Sequence, residues 1–386
     1  MNLRRFWSFG LAAGLLTLGA VASSESLAFA LADAQPELAI TLNSEQSDAL
    51  SNLASQSLRE GSTESPDNGR LPAQRAIAID PFDAQAAAHL GLLLQLDGKQ
   101  ASAASAMEYA QRISRRDAST QFWWIEYWAQ RGELDNVLHH YDAALRSSGQ
   151  APSTLFPILI SAVENPLVSR KLAERLDNNA LWTDQFVQQF AQSSQNTAAI
   201  GRFFLNLADA DFITSELAIS TAISRLAESG NVAQGFALFA AFYPEAGTPF
   251  VQDPMFAGTG HIPTPFDWIL AEADFYLGLG ADGLEIDAPA SASGPIVSQV
   301  TRLPAGDWQV RLSHDGGLTG SERLNLDLIC LDIPINLQPI LMRKAAALEA
   351  EIQIPPSCDY QKLTVSFRSS DRATALSLKR IELERS

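Results

Sequence analysis

The segment DAQAAAHLGLLLQLDGKQASAASAMEYAQRI, residues Asp83–Ile113, decides the architecture of the first half of the chain. Its apolar and small residues recur at intervals of three and four, which is the period of an α-helix. They are Ala87, Leu90, Gly91 and Leu94 before the Asp97-Gly98 turn, and Ala103, Met107 and Ala110 after it. The segment therefore predicts two helices joined by a tight turn.

This helix pair repeats along the chain. Gly98 and Gly132 lie 34 residues apart, and so do Leu90 and Trp124. Upstream, the offset between Gly61 and Gly98 is 37, because a Gly/Ser/Pro-rich stretch holds three extra residues, and a loop tolerates such an insertion at small cost. A fixed period of this length indicates tandem helix pairs that stack into an array.

The spacing resembles the tetratricopeptide repeat, over about residues 47–146 and again in SRLAESGNVAQGFALFAAFYP, which ends at Pro244. The resemblance implies a helical array whose concave groove binds a protein partner. In this frame Phe122, Glu126 and Ala129 of the stretch FWWIEYWAQRGE line the groove. Trp124 and Trp128 point inwards as core residues.

The second half of the chain predicts strands. Its apolar residues alternate with polar ones, as in Leu324, Leu326 and Leu328, and this is the pattern of half-buried strands. Turn signals such as LPAGDW, HDGG and PPSC separate seven or eight such segments. The pattern predicts an antiparallel, jelly-roll-like β-sandwich. The stretch GLGADG has the spacing G-x-G-x-x-G of a dinucleotide-binding loop, but no helix follows it, so it predicts a hairpin turn.

The stretch SQVTRLPAGDWQVRLS, residues 298–313, resembles the sandwich type of carbohydrate-binding module. The resemblance implies that sugars stack on exposed aromatic side chains. The candidates are Trp268, Tyr360 and Trp308, although the position of Trp308 in its strand favours the core.

The N-terminus predicts export. Arg4 and Arg5 precede an apolar run from Phe6 to Ala22, which is the order of a signal sequence. A cleaved signal peptide and an uncleaved signal anchor both remain open, because the run is at the lower length limit for a membrane span. We prefer the anchor, since helical pattern resumes directly after the run. The prediction is a cell-envelope protein that faces the periplasm and is anchored in the inner membrane.

Together these patterns predict a multidomain α + β protein. Its parts are a signal peptide or signal anchor over residues 1–26, a tetratricopeptide-like helical repeat domain over 27–245, a Pro/Gly-rich linker over 246–265 and the C-terminal antiparallel β-sandwich over 266–386. Cys330 and Cys358 are the two cysteines. Export favours a disulfide between them, and the alternative is two free, buried thiols.

Composition excludes several functions. The net charge of −17 opposes binding to the phosphate backbone of a nucleic acid. Two cysteines without clustered histidines offer no zinc ligand set, and His139, His140 and His314 are expected on the surface or in a turn. Neither a G-x-S-x-G, an H-E-x-x-H nor a P-loop is present, so no catalytic site, cofactor or metal is predicted.

Three functions follow in order of preference. The first is a non-catalytic envelope scaffold that binds a protein partner through its repeats. The combination of hydrophobic segment, repeats and sandwich resembles that of envelope repeat proteins, some of which serve polysaccharide assembly or export. The second is a glycan-binding protein that acts through the sandwich. The third is an enzyme of unrecognised type.

Overall fold

The computed structural model describes residues 23–60, 67–244, 250–272, 274–316, 318, 322–333, 335–344 and 346–385. The apolar run predicted as a signal peptide or anchor lies outside these ranges. Within them, no helix combines the length and the apolar character needed to cross a membrane.

Helices occupy the described chain up to Phe242, beginning with a helical stretch over residues 23–31. They are α1 (Pro36–Leu42), α2 (Ser47–Arg59), α3 (Asp67–Ile79), α4 (Ala84–Leu96), α5 (Gln100–Ile113), α6 (Ala118–Ala129), α7 (Leu134–Ser147), α8 (Ala151–Ala162), α9 (Pro166–Ala173), α10 (Leu181–Ser193), α11 (Thr197–Asp209), α12 (Glu216–Glu228) and α13 (Val232–Phe242).

The period of 34 is visible in the helix ends. Asp83 caps α4 by accepting a hydrogen bond from a backbone N–H three residues on, and Asp117 caps α6 in the same way. Such caps satisfy N–H groups that a helix start leaves open. Gly98 and Gly132 have φ values of 73° and 72° in the turns after these helices, where glycine avoids the steric cost of a left-handed backbone.

Small residues let the paired helices approach closely. A Cβ on Gly91 would lie 2.9 Å from the side chain of Met107, so a larger residue at this position would require the buried Met107 side chain to shift. Ala87, Ala103 and Ala110 are fully buried around this contact. The predicted helix pair of Asp83–Ile113 is confirmed.

The chain divides into two compact units, Met1–Phe156 and Pro157–Ser386. The second unit therefore combines helices α9 to α13 with the sandwich. Of the segment predicted as a linker, the structure describes the residues from Phe250 onwards, and Val251, Phe256 and Thr264 among them are buried. It packs as part of the second unit, although its Pro- and Gly-rich composition is typical of an exposed connection.

Two antiparallel sheets form the sandwich, with strand orders β1-β4-β10-β6-β7 and β2-β3-β11-β5-β9-β8. The strands are β1 (Ile269–Leu270), β2 (Tyr276–Gly280), β3 (Gly283–Ala288), β4 (Ser293–Thr301), β5 (Gly306–Gly316), β6 (Arg323–Cys330), β7 (Asn336–Leu337), β8 (Ile340–Lys344), β9 (Ala347–Ile354), β10 (Gln361–Arg368) and β11 (Thr374–Arg385).

The alternating residues lie between the two sheets, as predicted. Leu324, Leu326 and Leu328 of β6 are buried, and GLGADG forms the hairpin in which Gly280 pairs with Gly283. The described residues form eleven strands, more than the seven or eight predicted. Two of the additional strands are the edge strands β1 and β7, which contain two residues each. A strand that short shows no alternation in the sequence.

Candidate functional site

The predicted groove residues lie on one face of α6. Phe122 is half-buried, whereas Glu126 and Ala129 are exposed. Their spacing of four and three residues places them one above another along the helix. The carboxylate of Glu126 accepts a hydrogen bond from Gln130 Nε2 at 2.7 Å. This face offers an apolar ring, an acidic group and a small side chain to a partner.

An aromatic cluster supports this face from behind. Trp123 and Trp124 are buried, and Trp124 stacks on Trp128 with ring centroids 5.8 Å apart. Tyr127 contacts Trp124 edge-on at 5.1 Å and carries the guanidinium of Arg131 3.4 Å from its ring centroid. Trp124 is core, as predicted. The prediction that Trp128 is also core is corrected, because Trp128 is half-buried at the edge of the cluster.

The structure corrects the predicted exposure of His140. The side chain of His140 is 5% exposed, its ring stacks on Trp124 at 5.8 Å, and its Nδ1 lies 2.7 Å from Gln121 Oε1. Burial lowers the pKa of His140 to about 4, and the neighbouring His139 contributes to this lowering. His139 is exposed, as predicted. His314 is also buried, and it lies in strand β5 instead of a turn.

The predicted sugar-stacking rings are not available at the surface. Trp308 is 1% exposed, Trp268 is 2% exposed and Tyr360 is 7% exposed. The indole N–H groups of Trp268 and Trp308 donate to the backbone oxygens of Asp253 and Pro304. A sugar can stack only on a ring face that is open to solvent. The prediction that these three residues bind sugar is therefore wrong, and their buried rings pack inside the protein.

An open cavity of about 430 Å³ lies in the second unit, between α13 and the loop that joins β4 to β5. Phe236 and Phe239 of α13 form one wall, and the loop residues Thr301–Ala305 form another. Phe250 and Asp359 also line it. The loop belongs to the stretch SQVTRLPAGDWQVRLS, whose pattern resembles a carbohydrate-binding sandwich.

Arg302 carries the positive charge at this cavity. Its guanidinium carbon lies 5.6 Å from the ring centroid of Phe236 and 5.9 Å from that of Tyr360, within the range of a cation–π contact. Among the described residues, Arg302 and Asp359 have neither an ion pair nor a side-chain hydrogen bond. Burial raises the pKa of Tyr360, and the positive charge of Arg302 opposes that rise.

Phe266 joins the helical wall of the cavity to the sandwich. Its ring centroid lies 5.4 Å from that of Phe236 and 5.4 Å from that of Phe239. The buried carboxylate of Asp267 fixes the backbone here, because its Oδ2 accepts hydrogen bonds from the N–H and the hydroxyl of Thr264. His261 Nε2 lies 3.1 Å from the same oxygen.

The imidazole of His261 extends this anchor to the end of α13. It stacks on Tyr243 with ring centroids 3.9 Å apart. Burial raises the pKa of Tyr243 to about 12, with smaller contributions from Glu216 and Asp267. The phenol is therefore neutral at physiological pH, and the cluster holds the two sides of the cavity together.

Buried amides fix the loop side of the cavity. Gln299 exchanges two hydrogen bonds with the backbone of Gln252. Gln361 accepts from the N–H of Leu303 at 2.9 Å and donates to the carbonyl of Cys358 at 2.8 Å. Because the amides are buried and paired, the loop between β4 and β5 has a defined position.

A disulfide joins Cys330 to Cys358, with Cα atoms 5.6 Å apart. Cys330 is the last residue of β6. It pairs with Gln361, the first residue of β10, which follows Cys358 by three residues. The predicted bond is present. Ligand atoms of Cys330, Asp332 and Cys358 lie within 4.8 Å of one another, but sulfurs bonded to each other supply no thiolate for a metal. The Asp332 carboxylate instead accepts from the N–H of Tyr360 at 2.8 Å.

Sequence reasoning missed Phe236, Phe250 and Arg302 as site residues. Phe236 lies in a repeat-like helix, where an aromatic residue is usually core. Phe250 lies in a stretch that composition marks as a linker, and an aromatic residue there is the one signal that could have drawn attention to it.

A scan against models of protein families and a search among curated proteins both find no match. Among solved structures, the chain is similar to TmCBM61, solved in complex with β-1,4-galactotriose. The sequence identity is 15%, the TM-score is 0.25, and the match covers 36% of this chain and 98% of that chain. It is also similar to pilF of Pseudomonas aeruginosa, with 15% identity, a TM-score of 0.24, and 51% and 92% coverage. Both TM-scores are below 0.5, so function is argued below from the residues of this chain.

Proposed function

We propose that this protein is a non-catalytic scaffold of the bacterial cell envelope that binds a protein partner through the helical repeats. The observation that supports it most is the α6 face, where Phe122, Glu126 and Ala129 lie side by side over a packed aromatic layer. A rigid base lowers the entropy cost of binding, because few side chains must be ordered.

The charge of this face indicates the kind of partner. Glu126 is exposed beside the half-buried ring of Phe122, and the whole chain carries a net charge of −17. A partner segment with a basic residue next to an apolar one would complement both features. The combination of an N-terminal hydrophobic segment, helical repeats and a sandwich resembles that of envelope repeat proteins, some of which serve polysaccharide assembly or export, and we propose such a process for this chain.

The proposed location is the periplasm, with the N-terminal segment anchored in the inner membrane. Two observations support it. The order of Arg4, Arg5 and the following apolar run is that of an export signal. The disulfide between Cys330 and Cys358 is the kind of bond that persists in an oxidising compartment.

Comparison of partners captured by matched variants tests the scaffold function. The tagged full chain would be purified from an envelope fraction alongside Phe122→Ala and Glu126→Lys, with His139→Ala on the exposed side of α7 as the control. We expect a defined set of proteins that the first two variants lose and the control keeps. Identical protein sets from all four chains would contradict the proposal.

The second candidate is glycan binding through the sandwich. The cavity bordered by Phe236, Phe250 and Arg302 favours it, because it is the open aromatic surface that the buried Trp308 and Tyr360 do not provide. Binding of saccharides by the full chain separates this candidate from the scaffold, which requires none.

A further inference from the structure

We propose that the cavity between α13 and the loop joining β4 to β5 binds a neutral pyranose residue of a saccharide chain. This inference rests on the glycan-binding candidate and gives it a site and a ligand class. The scaffold function does not depend on it.

The cavity supplies an aromatic ring that is open on one side. Phe250 is 45% exposed, and its inner edge meets Trp308 with ring centroids 4.8 Å apart. The ring of Phe250 therefore has a fixed position and an accessible side, and the apolar C–H face of a pyranose can pack against it without displacing a core contact. Phe236 is half-buried between Phe266 and the guanidinium of Arg302, so it forms the wall on which Arg302 rests.

The polar groups at the cavity suit hydroxyls. The guanidinium of Arg302 can only donate hydrogen bonds, and the carboxylate oxygens of Asp359 can accept them. A sugar hydroxyl does both, so neighbouring hydroxyls of one ring can satisfy both side chains. Neither side chain has an ion pair or a side-chain hydrogen bond among the described residues, so a sugar hydroxyl would not have to break such a bond first.

Charge favours a neutral ligand over an acidic one. Arg302 and Asp359 line the same cavity and contribute opposite charges, so the local charge is balanced. The net charge of the chain is −17, and a polyanion would be repelled as it approaches. A volume of about 430 Å³ is at the lower end of the range of small-molecule sites, which is enough for one or two sugar rings.

Calorimetry on the full chain tests the inference. The probes are the neutral trisaccharides of β-1,4-linked glucose, galactose and mannose, with trigalacturonic acid as the acidic comparison. At least one neutral probe should bind with a Kd below about 10 mM. Arg302→Ala and Phe250→Ala should each weaken it by about tenfold or more, which is the loss of one specific contact.

Arg368→Ala is the matched control, because Arg368 is an exposed arginine at the far end of β10 and does not line the cavity. It should bind as the unaltered chain does, and circular dichroism would establish that all variants are folded. Binding that survives both cavity variants would overturn the inference and leave glycan binding elsewhere on the sandwich standing. Binding of the acidic probe alone would overturn the ligand class. No binding of any probe would overturn both the inference and the glycan candidate.

Discussion

Phe250 meets Trp308 edge-on, with ring centroids 4.8 Å apart, so a residue from the Pro- and Gly-rich segment covers the first aromatic residue of β5. This contact joins the segment after α13 to the sandwich. Trp308 therefore supports Phe250 from behind, and Phe250 forms an open aromatic surface beside Phe236, which packs on Phe266.

The aromatic cluster in α6 predicts a large difference between two neighbouring substitutions. Trp124→Ala should lower the free energy of unfolding by about 3–5 kcal/mol, because it empties a buried aromatic site. Phe122→Ala should cost less than about 1.5 kcal/mol, since Phe122 is half-buried and loses little buried area. Urea unfolding followed by circular dichroism measures both. Equal costs for the two substitutions would mean that α6 is not oriented as described.

The disulfide predicts a loss of stability when it is removed. Replacing both Cys330 and Cys358 by alanine should destabilise the sandwich by roughly 3.5 kcal/mol, because the bond closes a loop with a sequence separation of 28 and restricts the unfolded chain. Thiol labelling of the unreduced, denatured protein should detect no reactive thiol. Two reactive thiols per chain would show that the bond does not form.

Burial of His140 predicts a pH dependence of stability. The pKa of His140 is about 4 in the folded protein, against the ordinary histidine value of 6.5, so the unfolded chain binds a proton more readily between these values. The contribution of His140 to the free energy of unfolding is fully present above pH 6.5. It is lost as the pH falls towards 4, by up to about 3 kcal/mol.

The free energy of unfolding would be measured by urea unfolding at about pH 7 and about pH 4.5. These two pH values span most of the range in which the contribution of His140 is lost. His140→Gln should lose less stability between these pH values than the unaltered chain. His139→Gln is the control, because His139 is exposed. Burial also lowers the pKa values of His89 and His314, so His140→Gln keeps the contributions of these two groups to the pH dependence. The interpretation fails if His140→Gln and the unaltered chain show the same pH dependence.

Local patterns predicted the elements of this fold because each pattern lies within one element. The 3–4 spacing of Asp83–Ile113 and the alternation of β6 each report which side of one helix or strand is buried. The disulfide was predicted on a different ground, because export favours a bond between Cys330 and Cys358. The turn glycines Gly98 and Gly132 marked the period directly.

The cavity could not be predicted in this way, because its residues come from separate parts of the chain. Phe236, Phe250 and Arg302 are brought together by the packing of α13 against the sandwich, and no periodicity within one element reports that contact. His140 was misplaced for a related reason. Its burial depends on the ring of Trp124 and the amide of Gln121, which belong to the preceding helix.

Site-specific photocrosslinking in cells tests the central claim, that α6 presents a partner-binding face. A photoreactive phenylalanine analogue would replace Ala129 on that face, and in a second chain it would replace His139 on α7, which is also exposed. The account predicts a discrete crosslinked protein from position 129 that is absent from position 139 and is lost when Glu126→Lys is added. No adduct at position 129, or the same adduct from both positions, would contradict it.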